Sequence, residues 1–387
     1  AIDNANILVY NQSVPRREPE SGGNSFAGCY NKSQRNEIGM MKQMSKTLKA
    51  GAALLMAGSL VFAVTGCSDT TWGAECDGVR MPAGVYINNV ISAYSTAVGE
   101  LTEDADTDNI WKNTLDGVDL HTWVQNKALE NVRNYFAVEQ KFDEMGLTMD
   151  EETLSQAQSL AQYQWSYYQS SYEKNGVSEQ SFTETIVNSY KNSMIFNAIY
   201  GEGGTQEVSD QELLDRFNEQ YASIDRIYIP LAGEDGNTTQ ESIDAAREKA
   251  EGYQQRMENG ESIADLAKEY ANEQAVANGE ETSDDPVNTS SLISYETSGY
   301  SETFTEAVRN AEKGKPIVIE DDANMCLVVV NEVTTDSDLF LTNRSYLLSD
   351  LKGEEYENTV TEWGNALTVT FNDAAVKRYD IKKLDIV

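Results

Sequence analysis

The sequence predicts an α+β protein, a mainly helical module with one small α+β domain inserted into it, and three observations point there. Apolar residues recur at three- and four-residue spacing between about residues 85 and 200. A strand, two helices and two further strands then follow one another between residues 224 and 333. Finally Tyr356, Val360, Trp363 and Leu367 step along one face of a closing helix, which cannot bury that stripe alone and must pack on something earlier in the chain.

The front of the chain reads as an address. Lys42, Lys46 and Lys49 precede an apolar run at 50–64, and Val64-Thr65-Gly66-Cys67 follows it, the order of a secretory signal ending in a lipobox. Fifteen apolar residues rise only about 22 Å as a helix, short of the roughly 30 Å hydrocarbon core, so a retained membrane span is the poorer reading. A buried core helix would need neither the lysines nor the Gly-Cys. Residues 41–66 are therefore read as a signal peptide, with Cys67 the lipidated first residue of the mature chain, anchored on the outer face of the cell membrane. Residues 1–40 are read as a non-native upstream extension, with Met40, Met41 and Met44 as candidate starts. Residues 67–84 are read as a tether.

Composition narrows the function. The 387 residues suffice for two domains, and 64 Asp+Glu against 29 Lys+Arg give a formal charge of -35, which repels polyanions and removes nucleic acid as a partner. The single histidine, His121, excludes every mechanism that needs two imidazoles and leaves most zinc constellations without ligands. No metal and no other cofactor is expected. Asp104, Asp106 and Asp108 have the start of a calcium-loop spacing, but Asn109 and Leu115 stand where the turn glycine and the bidentate glutamate belong. Cys29, Cys67, Cys76 and Cys326 show no C-x-x-C spacing; Cys76 is read as a spare thiol, with a bridge to Cys326 as the alternative.

The helical domain is placed at 85–222. Val85, Ile87, Val90, Ile91 and Tyr94 open it, and Trp123, Ala128, Val132, Phe136 and Phe142 continue it to a stop at Gly146. The next helix, 154–172, carries Tyr163, Trp165, Tyr167, Tyr168 and Tyr172, read as core in preference to a client groove. A third helix ends at Gly201. Ser209 and Glu212 form a capping box for a fourth.

The α+β domain is placed at 223–335. Its first strand, 224–231, turns Ile224, Arg226 and Tyr228 to one face and Ile227 and Ile229 to the other. Thr238 with Glu241, and Ser262 with Asp265, cap its two helices. Strands at 317–319 and 325–333 complete it. Residues 336–387 return to helix and complete the helical domain.

This order resembles the extracytoplasmic parvulin-type foldases, the PrsA-like lipoproteins and SurA-like chaperones. The resemblance rests on the opening strand Ile224-Asp-Arg-Ile-Tyr-Ile-Pro-Leu, the piece Gly260-Glu-Ser-Ile-Ala-Asp-Leu-Ala-Lys-Glu-Tyr, the segment Phe304-Thr-Glu-Ala, Gly314-Lys-Pro-Ile and the last strand. It implies a mainly helical chaperone module with an inserted parvulin-like domain, and unfolded or partly folded secreted polypeptides as partners. It also implies histidines at two active-site positions, which here read Tyr228 and Cys326. The family's Gly-Gly-Asp-Leu-Gly stretch is replaced by an acidic loop at 278–286. Only the apolar proline cradle persists in part, with Tyr300 and Phe304 at two of its positions.

No residue is therefore assigned a catalytic role. Tyr228, Tyr300, Phe304 and Cys326 are the expected substrate-binding residues, with the alternative that Tyr228 and Cys326 simply fill their strand faces. The expected function is a membrane-anchored folding factor with weak or lost peptidyl-prolyl isomerase activity. The rivals are an active isomerase, a solute-binding lipoprotein of an importer, which would need βαβ units in two lobes, and a purely structural envelope protein.

Overall fold

In the computed structural model the described residues are 69–385, apart from 103, 234, 235, 297 and 298. The signal run, the lipobox with Cys67, and residues 1–40 lie outside them. No helix among the described residues is long and apolar enough to cross a membrane. The architecture is α+β and mainly helical, and the described chain divides into two compact units. One holds residues 133–158 and 186–367; the other holds the residues up to 132, 159–185, and those from 368 onward.

The unit that contains both ends of the described chain begins with a correction to the tether. From Trp72 the backbone is paired: β1 (Trp72–Cys76) and β2 (Val79–Pro82) form an antiparallel hairpin. Asp77 and Gly78, both at positive φ, supply the type I′ turn that suits a two-residue connection. Gly73, which reads as part of a spacer, is small because it is crowded. A Cβ on Gly73 would lie 2.3 Å from the Cβ of Tyr86, and Cys76 is 3% exposed. Neither Cys76 nor Cys326 takes part in a disulfide.

Helix α1 (Ala83–Gly99) follows and buries Val85, Tyr86, Ile87 and Val90. A second two-residue hairpin, β3 (Thr114–Leu115) and β4 (Val118–Asp119), turns on Asp116 and Gly117, again both at positive φ. Three long helices come next, α2 (Leu120–Glu144), α3 (Glu151–Lys174) and α4 (Glu179–Tyr200).

The aromatic stripe of α3 is split, where the sequence suggested a core. Trp165 and Tyr172 are buried against Phe182, with ring centroids 5.7 and 5.1 Å away. Tyr163, Tyr167 and Tyr168 are 62, 67 and 44% exposed. Five aromatics within ten residues, at 100° per residue, cannot share one helix face.

In the other unit, α5 (Asp210–Gln220) starts at the Ser209–Glu212 capping box and runs directly into β5 (Tyr221–Pro230). Helix α6 (Gln240–Glu258) is capped by Thr239 and Ser242, one residue later than the sequence suggests. Thr238 is occupied in a β-bridge with Ala232, and the Ser242 hydroxyl donates to the Leu231 carbonyl at 2.6 Å, which fixes the start of the helix. Helix α7 (Ile263–Ala277) is capped by Ser262 as expected. Strand β6 (Ser290–Ser294) was not expected. It exists because it pairs with β5, and Thr289 and Ser290 donate their hydroxyls to Asp225 at 2.7 and 2.5 Å. Helix α8 (Glu302–Asn310) and strands β7 (Pro316–Asp321) and β8 (Asn324–Val330) complete a four-stranded antiparallel sheet of order β6-β5-β8-β7.

The two-residue period of the strands divides that sheet. Ile227, Ile229, Met325 and Leu327 face α6 and α7 and pack on Ala250, Tyr253 and Leu266. Ile224, Cys326, Val328 and Val330 face the other way, towards Phe304 and Val308 of α8, with Tyr228, Tyr295 and Tyr300 partly buried beside them.

The closing helix α9 (Asp338–Ala366) buries Phe340, Leu347, Tyr356 and Val360 with Phe196, Tyr200 and Phe217. The Tyr356 hydroxyl donates to the Asn192 side-chain oxygen at 2.7 Å, and its ring meets Phe196 edge-on at 5.2 Å. Gly364 lets α9 approach α2 closely, since a Cβ there would sit 2.5 Å from Asn134 Oδ1. Leu367 is the C-cap and not part of the helix. The last residues are not helix throughout, as the pattern suggested. Strand β9 (Val369–Phe371) pairs with β1, and α10 (Asp373–Arg378) is capped by Asn372, whose amide also donates to the Trp72 carbonyl at 2.9 Å. Every strand pair among the described residues is antiparallel, so the βαβ lobes that an importer's solute-binding protein requires do not occur there.

Candidate functional site

Strand register sets the first two residues of the site. β5 and β8 run antiparallel with Tyr228 directly opposite Cys326, so both side chains leave the sheet on the same face. Cys326 is fully buried, whereas Tyr228 is half-buried and reaches outward from the same row. Helix α8 brings the other two. Its N-cap, Ser301, accepts from the Phe304 N–H at 3.2 Å, and the Ser301 N–H donates to Asp321 at the end of β7, also at 3.2 Å. That clasp holds Tyr300 over Phe304, ring on ring, with centroids 4.2 Å apart and planes 12° from parallel. The phenol oxygens of Tyr228 and Tyr300 are hydrogen-bonded to each other. Tyr228, Tyr300, Phe304 and Cys326, distant in sequence, thus lie on one sheet face.

Electrostatics keeps these groups neutral. Burial pushes the Tyr228 phenol well above its ordinary value, and the hydrogen bond to Tyr300 adds to this, while the Arg226 guanidinium works against it. Burial pushes the Cys326 thiol up to about 12, helped by the nearby Asp321 carboxylate. Neither group gains or loses a proton near neutral pH. The site can offer O–H donors and aromatic surface, and neither Tyr228 nor Cys326 serves it as a phenolate or thiolate base.

One neighbour was named in the sequence only as part of a strand face. Arg226 lies two residues before Tyr228 and stacks its guanidinium over that ring at 4.6 Å, and 5.9 Å from the Tyr300 centroid. Its signal in the sequence is a cation at an inward position between Ile224 and Tyr228.

The remaining candidates lie elsewhere. Asp106 accepts from the Asn109 N–H at 2.8 Å and from Lys112 Nζ at 3.1 Å, so it shapes its own loop. His121 Nε2 contacts the Asp380 carboxylate at 3.0 Å, and Gln125 donates to the same carboxylate at 2.8 Å, tying the chain end to α2. Among the described residues no group of three His, Cys, Asp or Glu is placed to hold a metal ion.

Comparison with known proteins bears on this domain directly. Residues 212–334 match the family described as the PPIC-type PPIASE domain, the segment that builds the four-stranded sheet and its helices. Among solved structures, PrsA from Bacillus subtilis is similar at 15% identity, covering 70% of this chain and 91% of that one with a TM-score of 0.24. Foldase protein PrsA from Streptococcus pneumoniae is similar at 14% identity over 70% and 91%, TM-score 0.29. Foldase protein PrsA from Lactococcus lactis is similar at 10% identity over 81% and 99%, TM-score 0.32. No curated protein matches. The likeness to parvulin-type foldases stated from the sequence is carried by the family match across residues 212–334.

Proposed function

Taking residues 212–334 as a PPIC-type PPIase domain, we propose that the chain is a folding factor that binds proline-bearing segments of unfolded or partly folded secreted polypeptides. It works outside the cell membrane, anchored by lipid on Cys67. The observation that carries the reading is the half-buried Tyr300 ring, backed by the fully buried Phe304 and hydrogen-bonded to Tyr228, an aromatic surface with a polar edge of the kind that receives a prolyl ring.

Isomerase activity is weak or lost. Rotating an X-Pro bond breaks amide resonance, a barrier of about 18 to 20 kcal/mol. Catalysis needs hydrogen bonds that strengthen as the amide twists. Here each phenol already has the other as a partner, so a substrate carbonyl must displace an existing bond in order to gain one. With Tyr228 and Cys326 both held protonated, little remains that favours the twisted amide over the planar one. The rival reading, an active isomerase, is favoured by that same phenol pair if one hydroxyl turns to the substrate.

A protease-coupled isomerisation assay on Ala-X-Pro-Phe peptides separates the two. The expected result is little acceleration alongside measurable peptide binding. A rate typical of an efficient parvulin, lost in Tyr228→Phe, would overturn the degenerate-site reading. Suppression of aggregation of a reduced, unfolded client tests the folding role, and no suppression at several-fold excess would favour the structural envelope protein. For the anchor, Cys67→Ala is expected to release the protein or leave it unprocessed.

A further inference from the structure

We infer that Arg226 makes this site select proline segments in which a residue adjoining the proline is acidic, a specificity that rests on the proline-binding reading above. Arg226 stands in a row otherwise built for burial. On its own strand it lies between Ile224 and Tyr228, and across the sheet the same face presents Val330, Val328 and Cys326, all buried. A guanidinium half-buried in such a row normally carries a carboxylate with it, because removing a charge from water without a partner is costly.

Five other arginines do carry one. Arg80 pairs with Glu75, Arg216 with Asp350, Arg247 with Glu320, Arg256 with Glu261 and Glu269, and Arg344 with Asp210, at 2.6 to 2.7 Å. Arg378 does not: it lies over the Tyr379 ring at 5.6 Å and in no ion pair among the described residues. Arg226 has none among the described residues; it is held by the faces of Tyr228 and Tyr300 alone. Asp321, the carboxylate whose field reaches Cys326, is engaged by the Ser301 N–H at the start of α8. A second arginine of the same face, Arg309 on α8, also lies over a tyrosine, Tyr295, at 4.2 Å and in no ion pair among the described residues.

Stacking on a ring uses the flat side of a guanidinium and leaves its N–H edge open, and that edge fits a carboxylate with two parallel hydrogen bonds. The net charge of -35 opposes acidic segments at long range, but screening at about 8 Å in physiological salt confines that repulsion, so the nearest cation decides.

The test is a saturation-transfer NMR titration of the chain with Ala-Ala-Pro-Phe and with variants carrying Glu or Lys immediately before or after the proline. At low ionic strength a Glu peptide is expected to bind about fivefold tighter than the Ala peptide, and a Lys peptide more weakly than either. The preference should shrink in 0.5 M salt, used here as the screening limit at a Debye length of about 4 Å. Arg226→Met is expected to level the three affinities. Arg226→Lys, which keeps the charge without the planar fork, should retain the order with a smaller spread. Arg247→Met removes one positive charge on the α6 helix and should leave the preference intact. Equal binding of Glu and Lys peptides, or a preference that survives Arg226→Met, overturns the inference while the proline site stands. No binding of any peptide, the Ala peptide included, removes the proline site and this specificity together.

Discussion

The two faces of the four-stranded sheet are built from the same strands and have opposite characters. Towards α6 and α7 the sheet offers Ile227, Ile229, Met325 and Leu327, and the helices answer with Ala250 and Leu266 in a closed apolar core. Towards α8 the same strands offer Ile224, Cys326, Val328 and Val330, but Tyr228 and Arg226 interrupt the row and a single short helix covers it. Two helices fill one face; one nine-residue helix leaves part of the other open. A strand with a two-residue period can serve both purposes at once, and the less covered face is where polar side chains keep contact with water.

The largest expected effect tests the closed face. Leu266→Ala should cost about 2–5 kcal/mol, read as a lower urea midpoint, because the fully buried side chain leaves a cavity between α7 and the sheet. The folded fraction should still bind Ala-Ala-Pro-Phe with unchanged affinity; a weaker affinity would mean that the faces are not independent. On the open face, Cys326→Ser should cost about 1–3 kcal/mol, since a hydroxyl replaces a fully buried thiol with apolar neighbours. Cys326→Ala should cost less. Tyr228→Phe should cost only about 0.5–1.5 kcal/mol, the worth of one hydrogen bond at a half-buried position, while weakening peptide binding. A residue whose stability cost is small and whose binding cost is large marks the open face.

A further effect is a slope against pH. Burial raises the Cys326 thiol from 9.0 unfolded to about 12 folded, so at intermediate pH the folded chain holds a proton that the unfolded chain has lost. That contribution is fully present below pH 9 and is lost as pH rises towards 12. Thermal unfolding across this interval should show a decline that is shallower in Cys326→Ala. An unchanged slope would mean that the thiol is not as deeply desolvated as its position implies.

Much of the α+β domain was legible because its signals are local. The capping boxes at Ser209 and the cap at Ser262, the alternation of Ile224 to Ile229, and the stop at Gly260 each involve residues within a few positions of one another. The family resemblance implied that Tyr228 and Cys326 share a site, and the pairing of β5 with β8 sets them opposite each other. Strand β6 was not legible, because Ser290-Ser-Leu-Ile-Ser has little apolar pattern and becomes a strand only through β5. Two turn signals are weak in the sequence. Asp77-Gly78 and Asp116-Gly117 are the dipeptides of type I′ hairpins, but their flanking runs are short, and the first hairpin is completed by Val369–Phe371, nearly three hundred residues away.

By itself the sequence determined the fold class, the caps at Ser209 and Ser262, the two faces of the strand that opens the α+β domain and the absence of any histidine from that domain, since periodicity and residue identity are properties of short stretches. Tertiary structure alone decided that Trp72–Cys76 is a strand between two others, that the Tyr163 group divides between core and surface, and that Arg226 lies over two tyrosines with no carboxylate paired to it among the described residues. The reason is physical: hydrogen-bond pairing, desolvation and charge neutralisation depend on which distant residues arrive in contact, and no local pattern carries that information.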